Sequence, residues 1–192
     1  ELDHYPDRET SEYRGIFRHP AYGSDPMWPG TKGNRIFAYL KPTPYLPVIL
    51  KSLNAGNHSV IAYCTEMSDR FKSNYRNIYF QSTPLNITNI MRDTEMTITN
   101  ANHDTLAASL LSGKPGLLLP ITMEQLILSN RSDMLGATIS LNGRANARDI
   151  SSSIDELLHN PSYKVAAQLF SEKYATADQD AKINEILSRL HL

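Results

Sequence analysis

Short apolar runs recur along the chain between residues 35 and 141, and polar or amphipathic stretches separate them. An apolar run without alternating polar residues is typical of a strand buried on both faces of a parallel sheet. The stretches between the runs carry apolar residues three or four positions apart, the spacing of a helix that buries one face. The pattern therefore predicts alternating strands and helices. The six predicted strands are 35–40, 59–64, 78–80, 95–99, 116–119 and 137–141.

Proline and glycine mark where several helices begin or end. The Lys-Pro-Thr-Pro sequence at 41–44 starts an apolar stretch that Gly56 closes, which predicts a helix. Gly113 and Pro115 end another helix, which begins near Thr105. Further helices are predicted at 85–91, 126–135, 149–158, 163–174 and 178–190.

The order of these elements predicts the fold class. Parallel strands joined through helices are connected by right-handed crossovers, which place helices against the sheet faces. We therefore expect an α/β fold with a Rossmann-like, doubly wound parallel sheet of about six strands, followed by C-terminal helices. This domain takes in residues 35–192. Residues 1–34 combine prolines and glycines with scattered aromatic side chains, which is typical of an irregular linking segment.

Composition and charge argue against several classes of partner. With 192 residues and 41% hydrophobic content, the chain can bury the core of about one domain. Its 19 basic and 20 acidic residues give a formal net charge of -1, which leaves no basic surplus for nucleic acid or an anionic membrane surface. No apolar run approaches the roughly 20 residues that span a bilayer, and no signal peptide is recognisable. We expect a soluble, cytoplasmic protein.

Cysteine and histidine give no sign of a metal site. Cys64 is the single cysteine and lies in an apolar strand pattern, so we interpret it as a buried core thiol. The six histidines show no metal-ligand spacing. We expect neither a metal ion nor a cofactor.

The candidate chemistry lies in the stretch 100–125. The strand 95–99 leads through a polar turn into a helix, whose first backbone N–H groups have no partner within the helix and attract phosphate. Thr105 is predicted to cap this helix and to donate to a phosphate. Asn100 and Asn102 can donate through their amides, and either tolerates a positive φ.

A second group of polar residues follows the next strand. The strand 116–119 stops at Pro120, and Glu124 and Gln125 follow on the same edge of the sheet. An acid and an amide suit the hydroxyls of a sugar better than another phosphate. Lys41 follows the first strand, where its charge could meet a phosphate, although a solitary lysine is more often simply solvated.

The order of residues in this stretch resembles the nucleotide-sugar signature of GT-B glycosyltransferases that use UDP- or TDP-activated donors. The group is that of the UDP-glycosyltransferases and the flavonoid or macrolide glycosyltransferases. The spacing from Gly113 through Pro115 and Pro120 to Glu124 and Gln125 matches the family pattern without a gap.

The earlier half of the motif departs from that pattern. Where the family usually has Ser-His-Gly-Gly-x-Gly/Asn-Thr/Ser, residues 99–105 read Thr-Asn-Ala-Asn-His-Asp-Thr. Asn100 replaces the histidine that commonly meets the diphosphate. Ala101 and Asn102 replace the two glycines. Asp104 stands at the helix mouth, where an ionised carboxylate would repel a phosphate.

The resemblance implies a site for a nucleotide sugar. It assigns the diphosphate, the base and the sugar to separate groups of residues, and it implies no metal. The implied residues are Asn100, Asn102, His103, Asp104, Thr105 and Lys41 for the diphosphate, Gln81 and Pro84 in the loop 81–84 for the base, and Glu124 and Gln125 for the sugar.

The resemblance also implies a reaction, the inverting, metal-independent transfer of a sugar to an acceptor hydroxyl. It places the general base and the small-molecule acceptor in an amino-terminal domain. Because Glu1 begins what resembles an interior segment, we interpret the chain as a fragment that binds a donor at most and carries no catalytic residue. Two alternatives stay open: a domain that has lost catalysis and serves as a binding or scaffolding module, or a nucleotide-sugar epimerase-like domain.

Overall fold

A computed structural model describes residues 2, 16, 22–30, 33–141, 146–175 and 179–189 of the chain. Six parallel strands form one sheet in the order β3-β2-β1-β4-β5-β6, which confirms the predicted α/β class. Most of the predicted linker 1–34 lies outside the described residues. The strands are β1 (Arg35–Leu40), β2 (Ser59–Cys64), β3 (Ile78–Gln81), β4 (Met96–Thr99), β5 (Gly116–Leu118) and β6 (Thr138–Ser140).

The strand order reverses at the centre of the sheet. β1 pairs with β2 on one side and with β4 on the other. The chain builds outward from β1 through β2 and β3, and then outward from β4 in the opposite direction. In open α/β sheets, ligands bind outside the carboxyl ends of the strands at such a switch point. The carboxyl ends of β1 and β4 therefore mark the expected position of a site.

The described residues form eight helices, which cover both faces of the sheet. Most of them bury apolar side chains in the core, and a buried aliphatic side chain stabilises the fold by about 1.5–3 kcal/mol. The helices are α1 (Leu46–Ala55), α2 (Asp69–Lys72), α3 (Ile87–Asp93), α4 (His103–Leu111), α5 (Met123–Met134), α6 (Ala147–His159), α7 (Pro161–Lys173) and α8 (Gln179–Arg189).

Alternate residues along each strand divide the core between the two faces. Ile36 and Ala38 of β1 point to the face covered by α1 and α6. Phe37, between them, points to the opposite face, where it packs with residues of α3 and with Ala108 of α4. Phe170 of α7 extends the apolar layer over α4 and α5. The arrangement is the predicted doubly wound one.

One helix boundary and one additional helix differ from prediction near β1 and β2. Helix α1 carries Pro47 in its first turn and begins after the Lys-Pro-Thr-Pro sequence 41–44, rather than within it. The short helix α2 was not predicted. Its single turn is held by Ser68, whose hydroxyl accepts the N–H of Phe71. Such a local cap is hard to recognise in a polar run without helical periodicity.

Candidate functional site at the carboxyl edge of the sheet

The side chain of Asn100 crosses the switch point. Asn100 directly follows β4 and is 2% exposed. Its Oδ1 accepts a hydrogen bond of 2.7 Å from the backbone N–H of Lys41, which follows β1. Its Nδ2 donates over 2.8 Å to the backbone carbonyl of Leu119, just beyond β5. One buried amide thus ties together the carboxyl ends of three strands, while its contact with a diphosphate stays a prediction.

The next residue has a backbone conformation that favours glycine. Ala101 has a φ of 57° and is buried. Its N–H donates to the Thr99 hydroxyl over 3.0 Å. A left-handed conformation costs an ordinary residue about 1–2 kcal/mol. Asn100 and Asn102 tolerate a positive φ better than most residues, but the turn places this conformation on Ala101 between them.

The start of α4 carries a buried polar atom without a partner. Asn102 is the N-cap residue, yet its side chain does not cap the helix. Its Nδ2 donates to the Thr105 hydroxyl over 2.8 Å, and its Oδ1 has no hydrogen-bond partner among the described residues. Buried polar atoms are usually satisfied, so this acceptor, beside the first-turn N–H groups of a helix, points to a polar ligand.

The prediction that Thr105 caps α4 was wrong. The helix begins at His103, two residues earlier, so Thr105 lies in its first turn and is 6% exposed. His103 and Asp104 occupy the first two positions, with His103 Nδ1 at 3.7 Å from Asp104 Oδ1. Both side chains reach solvent, so the only negative charge of this first turn stands at the mouth of the helix.

An aromatic cavity of about 230 Å³ adjoins the start of α4. Tyr39 and Tyr63 stack inside it, with ring centroids 5.5 Å apart and ring planes inclined by 16°. Burial raises the pKa of Tyr39, and the neighbouring Tyr63, Tyr22 and Asp104 raise it further, so Tyr39 remains a neutral hydroxyl donor. The cavity is lined by Tyr22, Phe37, Tyr39, Tyr63, Pro84, Leu85, Ile87, Asn102, Asp104, Thr105 and Ala108.

Sequence reasoning missed the three tyrosines of this cavity. Tyr39 and Tyr63 are register partners in β1 and β2, each one residue before the end of its strand. Neighbouring strands in parallel register present paired residues to the same face. Two tyrosines at matching positions near the carboxyl edge were therefore a usable signal. Tyr22 had no such signal, because it lies in an irregular segment.

The loop 81–84 forms one wall of the aromatic cavity through Pro84. The other predicted base contact, Gln81, donates from Nε2 to the hydroxyls of Ser24 and Thr83 over 3.1 Å and 2.9 Å. Ser24 in turn donates its N–H to the carbonyl of Pro84 over 3.1 Å. Gly23 is required in this contact, because a Cβ there would come within 2.4 Å of the same oxygen. Gln81 therefore stabilises the loop through these hydrogen bonds, and it is not among the residues that line the cavity.

Glu124 and Gln125 lie inside the first turn of α5, rather than before the helix as predicted. Thr122 is the N-cap, and its hydroxyl accepts the N–H of Gln125 over 3.3 Å. Gln125 is 8% exposed, and its Oε1 accepts the N–H of Ile121 over 2.8 Å. Gln125 thus braces the helix start, while Glu124 is exposed at the rim. Binding of a sugar by either residue stays a prediction.

The two helix starts share one edge of the sheet. β4 and β5 are paired, with Thr99 opposite Leu118, and α4 and α5 follow these strands. The structure thus brings Asn102, Asp104 and Thr105 together with Pro84 in the aromatic cavity. The exposed Lys41 joins Asn100 only through its backbone, and His103, Glu124 and Gln125 lie outside the residues that line the cavity.

A second concavity, here called the proline groove, lies between the end of β1 and the start of α5. It has a volume of about 510 Å³ and a largely apolar lining. It begins one residue after Lys41 and reaches the residue before Glu124. Its lining residues are Pro42, Thr43, Pro44, Tyr45, Pro120, Ile121, Thr122, Met123 and Leu126.

Other reactive groups are few within the described part of the chain. No group of three or more His, Cys, Asp or Glu side chains there is placed to hold a metal ion. Cys64 is buried, as predicted, and burial raises the pKa of its thiol to about 12. None of the described helices combines the length and apolar character that crossing a membrane requires.

Comparisons with known proteins identify the fold. The sequence matches no protein-family model and no curated protein. Among solved structures, it is similar to the spinosyn rhamnosyltransferase SpnG, with a TM-score of 0.74 and 16% identity over 95% of this chain and 54% of that one. It is also similar to the kitacinnamycin glycotransferase, with a TM-score of 0.75 and 11% identity over 91% of this chain and 47% of that one.

A third similar structure was solved with a nucleotide. The glycosyltransferase VinC, in complex with DTDP, gives a TM-score of 0.68 and 15% identity over 81% of this chain and 41% of that one. Likeness at these identities establishes the fold, which is that of the C-terminal half of GT-B glycosyltransferases. The chain spans about half the length of the first solved chains it matches, between 47% and 54%.

Proposed function

We propose that this chain is the donor-binding domain of a glycosyltransferase and binds a UDP- or TDP-sugar at the carboxyl edge of its sheet. The observation that carries the proposal is the aromatic cavity at the start of α4, beside the switch point. A cavity lined by aromatic and polar side chains next to a helix amino terminus suits a molecule that joins an aromatic base to a phosphate. A nucleoside diphosphate has that chemistry.

In this proposal the base, the diphosphate and the sugar of the donor occupy successive parts of the site. The base lies against Tyr39 and Tyr63, since aromatic rings stack favourably by about 0.5–1.5 kcal/mol beyond their buried area. A ring N–H or ribose hydroxyl donates to the unpartnered Oδ1 of Asn102. The diphosphate lies over the first-turn N–H groups of α4, and the sugar extends toward Glu124 at the start of the next helix.

In this proposal the backbone N–H groups of α4 assist catalysis, although no side chain of this domain is catalytic. As the sugar leaves the diphosphate, negative charge develops on the phosphate oxygens, and the fixed N–H groups of α4 stabilise it. In the proposed reaction, a general base in an amino-terminal domain activates the acceptor hydroxyl, and the transfer is inverting and metal-independent. The chain by itself binds the donor without turnover, needs no cofactor and works in the cytoplasm.

Two features favour a second candidate, a domain of this fold that has lost donor binding and serves as a scaffold. Asp104 places a carboxylate at the helix mouth, where a diphosphate would gather further negative charge. Ala101 introduces a strained backbone and a methyl group where the GT-B pattern has glycine. Either feature weakens the site without changing the fold.

Isothermal titration of UDP and TDP into the purified chain tests the proposal. We expect saturable binding below about 1 mM, with ADP as a control for base selectivity. Absence of heat at millimolar nucleotide would contradict donor binding. The double variant Ala101→Gly with Asp104→Asn then separates the two candidates, because binding that appears only in this variant identifies a decayed site.

A further inference from the structure

A polar cavity lies at the amino edge of the sheet, opposite the carboxyl edge that carries the aromatic cavity. It has a volume of about 360 Å³, within the roughly 300–1,000 Å³ that small-molecule pockets enclose. The turns before β2 and β3 supply most of its lining. We call it the amino-edge cavity. Its polar lining residues are Asn57, His58, Arg76, Asn77 and Tyr79.

Close packing around two glycines fixes the turn before β2. Gly33 has a φ of 78°, and a Cβ on it would overlap the carbonyl oxygen of Asn57. A Cβ on Gly56 would come within 2.7 Å of Cδ2 and 3.2 Å of Nε2 in the His58 ring. The ring therefore lies directly against the backbone of Gly56, and its position depends on the absence of a side chain there.

Hydrogen bonds to α1 hold the turn before β3. Asn77 donates its backbone N–H to Oδ1 of Asn54 over 2.9 Å and its Nδ2 to the carbonyl of Asn54 over 2.8 Å. Arg76, the preceding residue, is exposed. Its guanidinium has no hydrogen bond or ion pair with another described residue. A fixed turn thus presents a cation that is available to a ligand.

His58 offers a hydrogen-bond donor at Nε2. Its Nδ1 is buried and has no partner among the residues that the structure describes. Burial lowers the pKa of His58, and Asp155 opposes this only in part, so the ring is neutral at pH 7. Buried N–H groups without an acceptor are rarer than buried acceptors without a donor. The proton of the neutral ring therefore belongs on Nε2, beside Gly56.

The charge and the donors of the cavity suit an anion. Arg76 is the only charged residue among the described residues that line it, since His58 is neutral. A guanidinium binds carboxylate and phosphate oxygens through two parallel hydrogen bonds. The amide of Asn57 and the hydroxyl of Tyr79 are further donors among the lining residues.

We propose that the amino-edge cavity is a second binding site, which takes a small ligand with a carboxylate or phosphate group. The oxyanion contacts the guanidinium of Arg76 and the Nε2–H of His58, while the body of the ligand lies against Pro29 and Ile78. Because this cavity and the aromatic cavity lie at opposite edges of the sheet, the proposal does not depend on donor binding.

An NMR titration of the purified chain tests the site. Inorganic phosphate and acetate are added in separate arms at constant ionic strength, and the ring C–H signals of His58 and the amide signals of Asn57 and Asn77 are followed. We expect these signals to shift and to saturate in at least one arm. Saturation supports the site, and the arm with the tighter binding tells whether its natural group is a phosphate or a carboxylate. Shifts that are absent in both arms, or that rise without saturating, would overturn the proposal.

A change at Arg76 shows whether the binding is specific. We expect Arg76→Gln to weaken binding of the tighter anion about tenfold or more, because it removes the charged hydrogen bonds. Arg70→Gln, at an exposed position on α2 outside the cavity, should keep the affinity of the natural chain. Both positions are exposed, so both variants should fold, which circular dichroism verifies. Equal affinities in the two variants would contradict the site.

Changes at Gly56 and His58 test the contribution of the ring. Gly56 has a φ of -73°, which alanine adopts freely, so Gly56→Ala acts only by displacing the ring. We expect it to weaken binding about threefold or more. His58→Gln keeps a side-chain N–H and should bind more tightly than His58→Leu, which has none. Full affinity in His58→Leu, or ring nitrogen shifts that place the proton on Nδ1, would overturn the role of His58.

Discussion

The starts of α4 and α5 lie on the same edge of one sheet, yet they are built in opposite ways. At α5, Thr122 caps the helix and Gln125 reaches back to the chain before it, so the polar groups satisfy one another. At α4, the N-cap side chain of Asn102 leaves its Oδ1 without a partner among the described residues. The polar groups at the α5 start are thus paired with one another, whereas the α4 start keeps a buried acceptor without a partner among the described residues.

This difference changes the reading of the GT-B signature. The half that matches the family without a gap ends in Gln125, a residue that the structure uses to brace a helix. The half that departs from the family forms the start of α4 beside the aromatic cavity. The structural similarity identifies the fold, and under the proposed function the divergent turn 99–105 is the part of the signature to test for nucleotide binding.

The largest expected effect comes from the Asn100 amide, which connects the carboxyl ends of three strands. We expect Asn100→Ala to lower the free energy of unfolding by about 2–4 kcal/mol, because it leaves the N–H of Lys41 and the carbonyl of Leu119 unpaired in a buried place. Urea denaturation followed by circular dichroism measures the loss. Asn102→Ala is the matched control and should cost less than about 1 kcal/mol, since it removes one hydrogen bond near the surface. Equal losses in the two variants would contradict the view that Asn100 stabilises the fold more than Asn102 does.

A smaller effect should follow from the charge at the α4 start. We expect Asp104→Asn to raise the affinity for UDP or TDP about three- to tenfold, because it removes a negative charge from the position where the diphosphate meets the helix dipole. Calorimetric titration measures the change. Asp155→Asn, at an exposed position on α6, should leave the affinity as it is. Weaker binding by Asp104→Asn would instead make Asp104 a ligand contact.

A substitution at the start of α5 should change the free energy of unfolding. We expect Thr122→Ala to lower the free energy of unfolding by about 1 kcal/mol, because α5 loses its N-cap. Urea denaturation measures the change. An unaltered midpoint would show that the bond from the N–H of Gln125 to Thr122 contributes nothing to the stability of the fold. The α5 start would then not be the stabilised counterpart of the α4 start.

The smallest expected effect concerns the strained backbone before α4. We expect Ala101→Gly to raise the free energy of unfolding by about 0.5–1 kcal/mol, since glycine adopts a positive φ without steric strain. The same measurement on Ala107→Gly, within α4, should show a loss of about 2 kcal/mol, since glycine weakens the helix and removes a buried methyl group. A loss at both positions would mean that the turn holds no strain to release.

The sequence predicted the elements of the fold well and the orientation of its polar side chains poorly. Apolar runs located all six strands of the sheet, because burial on both faces leaves a continuous apolar pattern. The pattern cannot show that Asn100 turns inward toward Leu119, or that Gln125 reaches Ile121, since both bonds depend on how the strand ends meet in space. Tyr39 and Tyr63 differ in this respect, because their matching positions near the ends of β1 and β2 were a usable signal that the sequence analysis missed.

The most direct test of the account is an amide NMR titration of the labelled chain with the tighter-binding of UDP and TDP. The account predicts that the first and largest shifts occur at the α4 start, in residues 101–105, and around Leu85 beside the aromatic cavity. Glu124 should shift strongly only when the nucleotide carries a sugar. Shifts centred elsewhere, or none at saturating nucleotide, would contradict the assignment of this edge as a donor site.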